Sequence, residues 1–337
     1  MMAHISRPNS GIWPFPQLVT ASRLLWVAAL CILLLWSGRA TEMDRAFVMT
    51  GQAIHAAATG QNNSQVVNGF SQIAESLWPM QLESRTELHQ QAGQPKASAL
   101  PFSHIETTSR STQSTDPLTG QAVTTSPTKT ELVVPYGYVL VVVSKLIETI
   151  QMAIWATLIA LVISLPLGFL AARNLMGDGL VVGLARSLIG LLRAIPELVS
   201  ALFFVVAFGF GPIAGIFALG LHAAGFLGKF FADDSENADP KPQEALVALG
   251  ANTIKVARFA VLPQVLPQYI AYILYILDRN IRMATVIGLV GAGGIGQELK
   301  GRFDMYDYGH VATILVAIFI LVVLVDQLSA SIRKQLL

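Results

Sequence analysis

Six apolar runs, each close to the ~20 residues that cross a bilayer as a helix, constrain this chain more than anything else in it. They occupy residues 18–36, 150–172, 183–208, 213–231, 268–290 and 311–329. A helix in lipid satisfies its backbone N–H and C=O groups internally, so runs of this length predict membrane-spanning helices. With 53% hydrophobic and 13% charged residues over 337 positions, the chain has more apolar surface than one globular core would bury. The expected fold class is an all-α membrane protein with six transmembrane helices. An amphipathic stretch, 136–148, precedes the second run and is expected to lie in the interface. The first run, with Arg7 and Arg23 at its start and no small-residue cleavage site after it, reads as an anchor. Cys31 is the single cysteine and lies in that run, so neither an intramolecular disulfide nor a cysteine metal cluster is expected.

Orientation follows from Lys and Arg in the short connections. With the N-terminus inside, the inner segments hold Arg173, Arg186, Lys229, Lys241, Lys255, Arg258, Arg333 and Lys334, and the outer ones Lys300 and Arg302. Both ends are therefore expected inside, with 38–145 outside and 232–264 inside. The outer segment differs in texture: from Gly38 to Thr130 it is rich in Gln, Ser, Thr, Asn and Ala. Residues 46–58 and 65–77 have helix-forming content, whereas 107–130, "TTSRSTQSTDPLTGQAVTTSPTKT", reads as an extended or mobile linker. No internal repeat is visible, which counts against an inverted-repeat carrier.

The inner segment has its own architecture. Asp239 is a helix cap followed by prolines in the first turn, and Glu244 is placed near the positive end of the helix dipole. Gly250 ends this helix in a left-handed turn, "TIKVARFAV" forms a second short basic helix, and Pro263 is expected to stop it at the membrane edge. The product is an L-shaped knob that fits a groove on a partner. Glu244, Ala245, Gly250, Leu262 and Pro263 together resemble the EAA coupling loop of permease subunits of bacterial ABC importers. Leu246 and Ala260 depart from that pattern but stay apolar.

The stretches "LLRAIPELVSALFFVVAFGFGPIAG", "GLHAAGFLGKFF" and "RNIRMATVIGLVGAGGIGQEL" narrow the resemblance to the permease subunit of phosphonate or phosphite importers, over residues 136–333. Composition and the charge bias place a tail and first helix at 1–37 and a polar periplasmic insertion at 38–135, and the resemblance implies a permease core after them at 136–337 with its coupling loop at 232–264. It also implies a multi-pass protein of the bacterial inner membrane, with three kinds of protein partner. These are a second permease copy in a homodimer, two cytoplasmic ATP-binding subunits and a periplasmic substrate-binding protein. Membrane lipid surrounds the chain, no cofactor is expected, and a formal net charge of +1 suggests no nucleic acid. The nearest alternatives are a methionine-type or glycine-betaine-type permease and, from a different class, an ion-coupled secondary carrier.

No motif points to chemistry in the chain itself. Gly291, Gly293 and Gly296 satisfy G-x-G-x-x-G but follow a membrane span rather than a strand, and there is no P-loop or H-E-x-x-H. With Gly294 these glycines let backbones approach closely and bend, which suits a gate. Charges inside the spans are the remaining signal, because a charge at the bilayer centre costs ~2.5 to 3.5 kcal/mol on insertion scales. Arg193 and Glu197 flank Pro196, and Asp278, Arg279 and Arg282 interrupt the fifth run. Arg193 with Glu197, and Asp278 with Arg282, stand one helical turn apart, so each couple reads either as an ion pair alone or as a pair that also lines an anion path. Arg282 is the first choice for the path and Arg193 the second. His222, in the fourth run, reads as a hydrogen-bonded packing residue before a ligand.

Overall fold

The computed structural model describes residues 21–59, 64–87, 102–109, 112–115, 122–125 and 128–336. Arg7 and parts of the 107–130 segment lie outside them. The chain divides into two compact units, 1–75 and 76–337. In the first, α1 (Ala21–Ala40) and α2 (Met43–Thr59) meet at a bend of 75°. Thr41 Oγ1 donates to the Ser37 carbonyl at 2.8 Å there, and Glu42 takes a φ of 54°. The boundary between the units falls within α3 (Gln65–Leu77). Both helices expected at 46–58 and 65–77 are present.

The second unit opens with short strands: β1 (Ser84–Glu87), β2 (His104–Ser109), β3 (Thr112–Thr115), β4 (Ala122–Thr125) and β5 (Thr128–Val134). β5 is the centre of an antiparallel sheet ordered β1-β5-β2, and β3 pairs with β4. Threonine-rich sequence suits strands through its β-branching, and in its described parts the linker expected at 107–130 is extended and paired. β5 runs directly into the membrane part.

That part is helical: α4 (Gly137–Ala171), α5 (Arg173–Met176), α6 (Leu180–Ala194), α7 (Glu197–Phe208), α8 (Pro212–Asn237), α9 (Pro240–Ala248), α10 (Thr253–Val256), a π-helical turn (Ala257–Val261), α11 (Leu262–Gly288), α12 (Gly294–Asp304) and α13 (Tyr308–Leu336). Among the described residues four helical runs are long and apolar enough to cross a membrane, namely α4, α8, 253–288 and α13. Two bent pairs, α1 with α2 and α6 with α7, bring the number to six if each is one span. Small residues dominate the packing. Ala153, Ala156, Ala160, Ser164 and Gly168 of α4 are buried, as are Ala214, Ala218, Ala223, Ala224 and Gly228 of α8. A Cβ on Gly168 would come within 2.7 Å of Phe231 Cβ, so these two backbones approach as closely as small residues allow. Asn280 of α11 donates to Thr157 Oγ1 at 2.9 Å, a buried polar bridge between α11 and α4.

Three expectations are corrected. Residues 137–148 are not a stretch of their own ahead of the second span: they open the 35-residue α4 and run on into it, with Tyr138 and Val142 buried against Ile295 and Ile314. The third span is not one helix. It breaks by 87° between α6 and α7, because Pro196 confines Ile195 to extended backbone (φ −84°, ψ 120°). Nor does Pro263 stop a helix. It sits in the first turn of α11, where its missing N–H costs nothing, and the π-helical turn carries the chain through, the Leu262 N–H bonding to the Ala257 carbonyl.

Candidate functional site

Glu197 opens α7, in the first turn after the break at Pro196. From there it meets two residues that are distant in sequence, Arg279 of α11, whose Nη2 donates to its Oε1, and His222 of α8, with Nε2 3.1 Å from the same oxygen. The His222 ring is fixed from its other side, since Nδ1 donates to the Ile195 carbonyl at 3.0 Å. Nε2 is then free to accept from Arg279 Nη2, also at 3.0 Å. The break thus does two things: it frees the Ile195 carbonyl for His222 and aims a carboxylate into the bundle. Only 7% of the His222 side chain, 14% of Glu197 and 22% of Arg279 is exposed. His222 lies ten residues from Pro212 in a 26-residue helix, so the cluster sits near the middle of α8.

Arg193 does not pair with Glu197, because the break separates what an unbroken helix would have stacked. Its guanidinium lies 4.8 Å from the Phe226 ring centroid, and Arg279 lies 4.5 Å from the same centroid. Asp278 and Arg282 do pair, at 2.7 Å, but in a different place, a cleft they share with Phe230, Tyr272, Tyr275 and Asp326. The structure therefore joins Glu197 and His222 with Arg279, puts Arg193 at the edge of that cluster and leaves Arg282 outside it. Arg279 is the residue sequence reasoning passed over. The signal was present: pairing Asp278 with Arg282 leaves Arg279 as the unmatched cation of the fifth run.

The glycines form a packed corner. Gly291, Gly293 and Gly294 all take positive φ (88°, 87° and 70°), which a side chain would strain. The Gly211 N–H donates to the Gly291 carbonyl at 3.0 Å, and a Cβ on Gly293 would stand 2.8 Å from the Pro212 backbone. Gly296 packs against Gly288 and Thr285. Glu148 and Thr149 of α4 accept from the N–H groups of Gly294 and Ile295 at 3.0 and 2.9 Å, capping α12.

Two joints of the 239–263 knob are as expected: Asp239 accepts from the Lys241 N–H at 3.0 Å, and Gly250 turns with φ 80°. A third, not singled out in the sequence, is Asn252, which caps the second helix by accepting from the Lys255 N–H. Glu244 falls beyond the first turn of α9, further from the dipole's positive end than the sequence suggested. Gln243 anchors the knob: it is buried, accepts from Asn174 at 3.1 Å and donates to the Ala238 and Asp239 carbonyls. Glu244, Ala245 and Pro263 face outward, as do Leu249 at 83% and Ile254 at 68% exposure, while Leu262 is 38% exposed. The knob thus has an anchored base and an exposed apolar tip.

Residues 164–336 match the family model of the binding-protein-dependent transport system inner membrane component. The chain belongs to this family. The permease is 52% identical over 261 residues to HtxE of Stutzerimonas stutzeri, a phosphite-system permease by its assigned name, an alignment covering 77% of this chain and 100% of the relative. It is 47% identical over 192 residues to the phosphite transport system permease protein PtxC of the same organism, covering 57% of this chain and 70% of that one. In fold it is similar to a chain of the MetNI methionine ABC transporter in an inward-facing conformation, with a TM-score of 0.51 at 23% identity over 58% of this chain and 96% of that chain. This permease is thus the membrane-embedded component of a transport system rather than an enzyme, and membership implies ATP-binding and substrate-binding partners.

Proposed function

We propose that this permease is half of the translocation path of an ATP-driven importer for phosphite, phosphonate or a related compact oxyanion. It works as a homodimer in the bacterial inner membrane with both termini cytoplasmic. The observation that carries the reading is the Glu197–His222–Arg279 cluster, buried at mid-helix in a chain whose whole-length relative bears a phosphite-system name. An anion crossing a low-dielectric interior needs positive charge that is present yet not so exposed that the ligand cannot leave. Arg279, half-neutralised by Glu197, meets that need. The substrate competes with Glu197 for the guanidinium, and His222 holds Arg279 while the exchange occurs. Arg193 borders this path, and the Asp278–Arg282 pair flanks it on α11.

The knob supplies the coupling. Its apolar tip and the outward-facing Glu244 and Ala245 dock into the ATP-binding subunit, and α11, continuous with the knob through the π-helical turn, transmits the movement to the cluster and to the Gly291–Gly296 corner that acts as the gate. An ion-coupled carrier would need no such knob. The test is uptake of phosphite into proteoliposomes holding the permease, its ATP-binding subunit and its substrate-binding protein. ATP-dependent accumulation is expected. Uptake that proceeds without the ATP-binding subunit would overturn the reading.

A further inference from the structure

Beside the cluster, and sharing Arg193 with its edge, α6 and α8 leave a groove with a composition of its own. The two helices run antiparallel: Arg186 pairs with Glu236 near the end of α8, and seven residues on, Arg193 reaches Gly225. Between them lies a small pocket of about 170 Å³ lined by Ala171, Arg186, Gly190, Arg193, Lys229 and Ala232. Three cations face one small space. Glu236 answers Arg186, and Asp233 answers Lys229 at 2.6 Å, but no carboxylate among the described residues pairs with Arg193. One positive charge is left over, between α8, apolar enough to cross a membrane by itself, and α6, apolar enough together with α7.

The shape of the groove suits a headgroup. Its floor is alanine, and a Cβ on Gly190 would meet nothing within 4 Å, so the centre is open. Beside it Leu184, Leu188 and Leu191 stand exposed along one stripe of α6, a track for an acyl chain. The depth agrees. Lys229 lies eight residues, about 12 Å, before the end of α8 at 1.5 Å per residue, and its side chain reaches toward Asp233, in the direction of that charge-rich end.

We propose that this groove is a binding site for the phosphate of an anionic phospholipid headgroup, held by Arg186, Arg193 and Lys229. Basic pockets between membrane helices recognise such headgroups because the phosphate supplies the missing counter-charge while the chains stay in hydrocarbon. A bound lipid would brace α6 against α8 next to the break that positions Glu197.

The test uses the full chain purified in an uncharged detergent and titrated with dioleoylphosphatidylglycerol, dioleoylphosphatidylcholine or inorganic phosphate, retention being read by native mass spectrometry. Phosphatidylglycerol should be retained in preference to phosphatidylcholine. Lys229→Gln should weaken its retention about fivefold, the worth of one basic residue near a lipid surface. Gly190→Leu, which keeps every charge and fills the open centre, should weaken it at least as much, and Lys255→Gln in the knob should not change it. Equal retention of the two lipids, or unchanged retention in both groove variants, would overturn the proposal. So would inorganic phosphate displacing phosphatidylglycerol at equal concentration, which would mark a site for a soluble anion. Disulfide formation between copies of a Cys31→Ser, Gly190→Cys variant would also overturn it, because the groove would then belong to the permease dimer.

Discussion

The knob at 239–263 and the cluster around His222 both place charge beside apolar helix, and they do so in opposite ways. The knob is built locally: Asp239, Asn252 and Gln243 hold backbone groups within a few residues, and the apolar side chains point out. The cluster is built across the bundle, from residues 25 to 82 positions apart, and its charges point in. The difference teaches where damage should travel. Changes in the knob should uncouple the machine and spare its fold, whereas changes in the cluster should cost stability and transport together.

Arg279→Gln should show the largest effect. It strips Glu197 of its cation in a buried site, a loss of about 3 kcal/mol, at the low end for a broken buried pair because Arg279 keeps some exposure. Thermal unfolding in detergent should fall by several degrees and uptake should be lost. A variant as stable as the wild type would show that the cluster is not a buried pair in this sense. Gly250→Pro is the contrasting change. Proline cannot adopt φ 80° and also removes the N–H that bonds Val247 at 2.9 Å, so the knob should change shape locally. Uptake should drop more than ~10-fold, the uncoupling expected when catalytic geometry is misplaced by about 1 Å, with the unfolding temperature of the membrane part unmoved. Uptake at the wild-type rate would remove the coupling role of the knob.

The Asp278–Arg282 pair sharpens the comparison, because it is local like the knob yet lies within a span. Arg282→Gln should cost about 1 to 2 kcal/mol: Arg282 is 46% exposed and screened, but Asp278 is buried and would be left alone. Adding Asp278→Asn should restore stability. If uptake returns with it, the pair is structural, and if uptake stays low while stability recovers, Arg282 belongs to the path. Asp239→Ala should be the mildest of these. Losing one helix cap costs about 1 kcal/mol, confined to α9, so uptake should fall only a few-fold, and hydrogen exchange should quicken in 240–248 alone.

How far sequence reasoning reaches depends on the range of the interaction. The caps at Asp239 and Asn252, the turn at Gly250, the helices of α2 and α3 and the Asp278–Arg282 pair all arise within about one helical turn, where spacing in sequence is spacing in space. The break at Ile195–Pro196 was signalled by the proline, yet a run of apolar residues on both sides masks a bend, since hydropathy carries no direction. Pro263 shows the reverse. A proline in a first turn and a proline after a last turn look the same in sequence, and the π-helical turn that continues the chain is a product of packing.

What the sequence by itself determined is therefore the membrane class, the apolar segments, the cap at Asp239 and turn at Gly250 in the knob, and the family. Each rests on composition or on contacts between near neighbours. Only the tertiary structure decided which charges meet. Glu197, His222 and Arg279 belong to three different helices, and Arg193 parts from Glu197 because an 87° bend comes between them. A buried charge takes the partner that packing brings within reach, and packing here is set by the small residues of α4 and α8, which carry no charge at all.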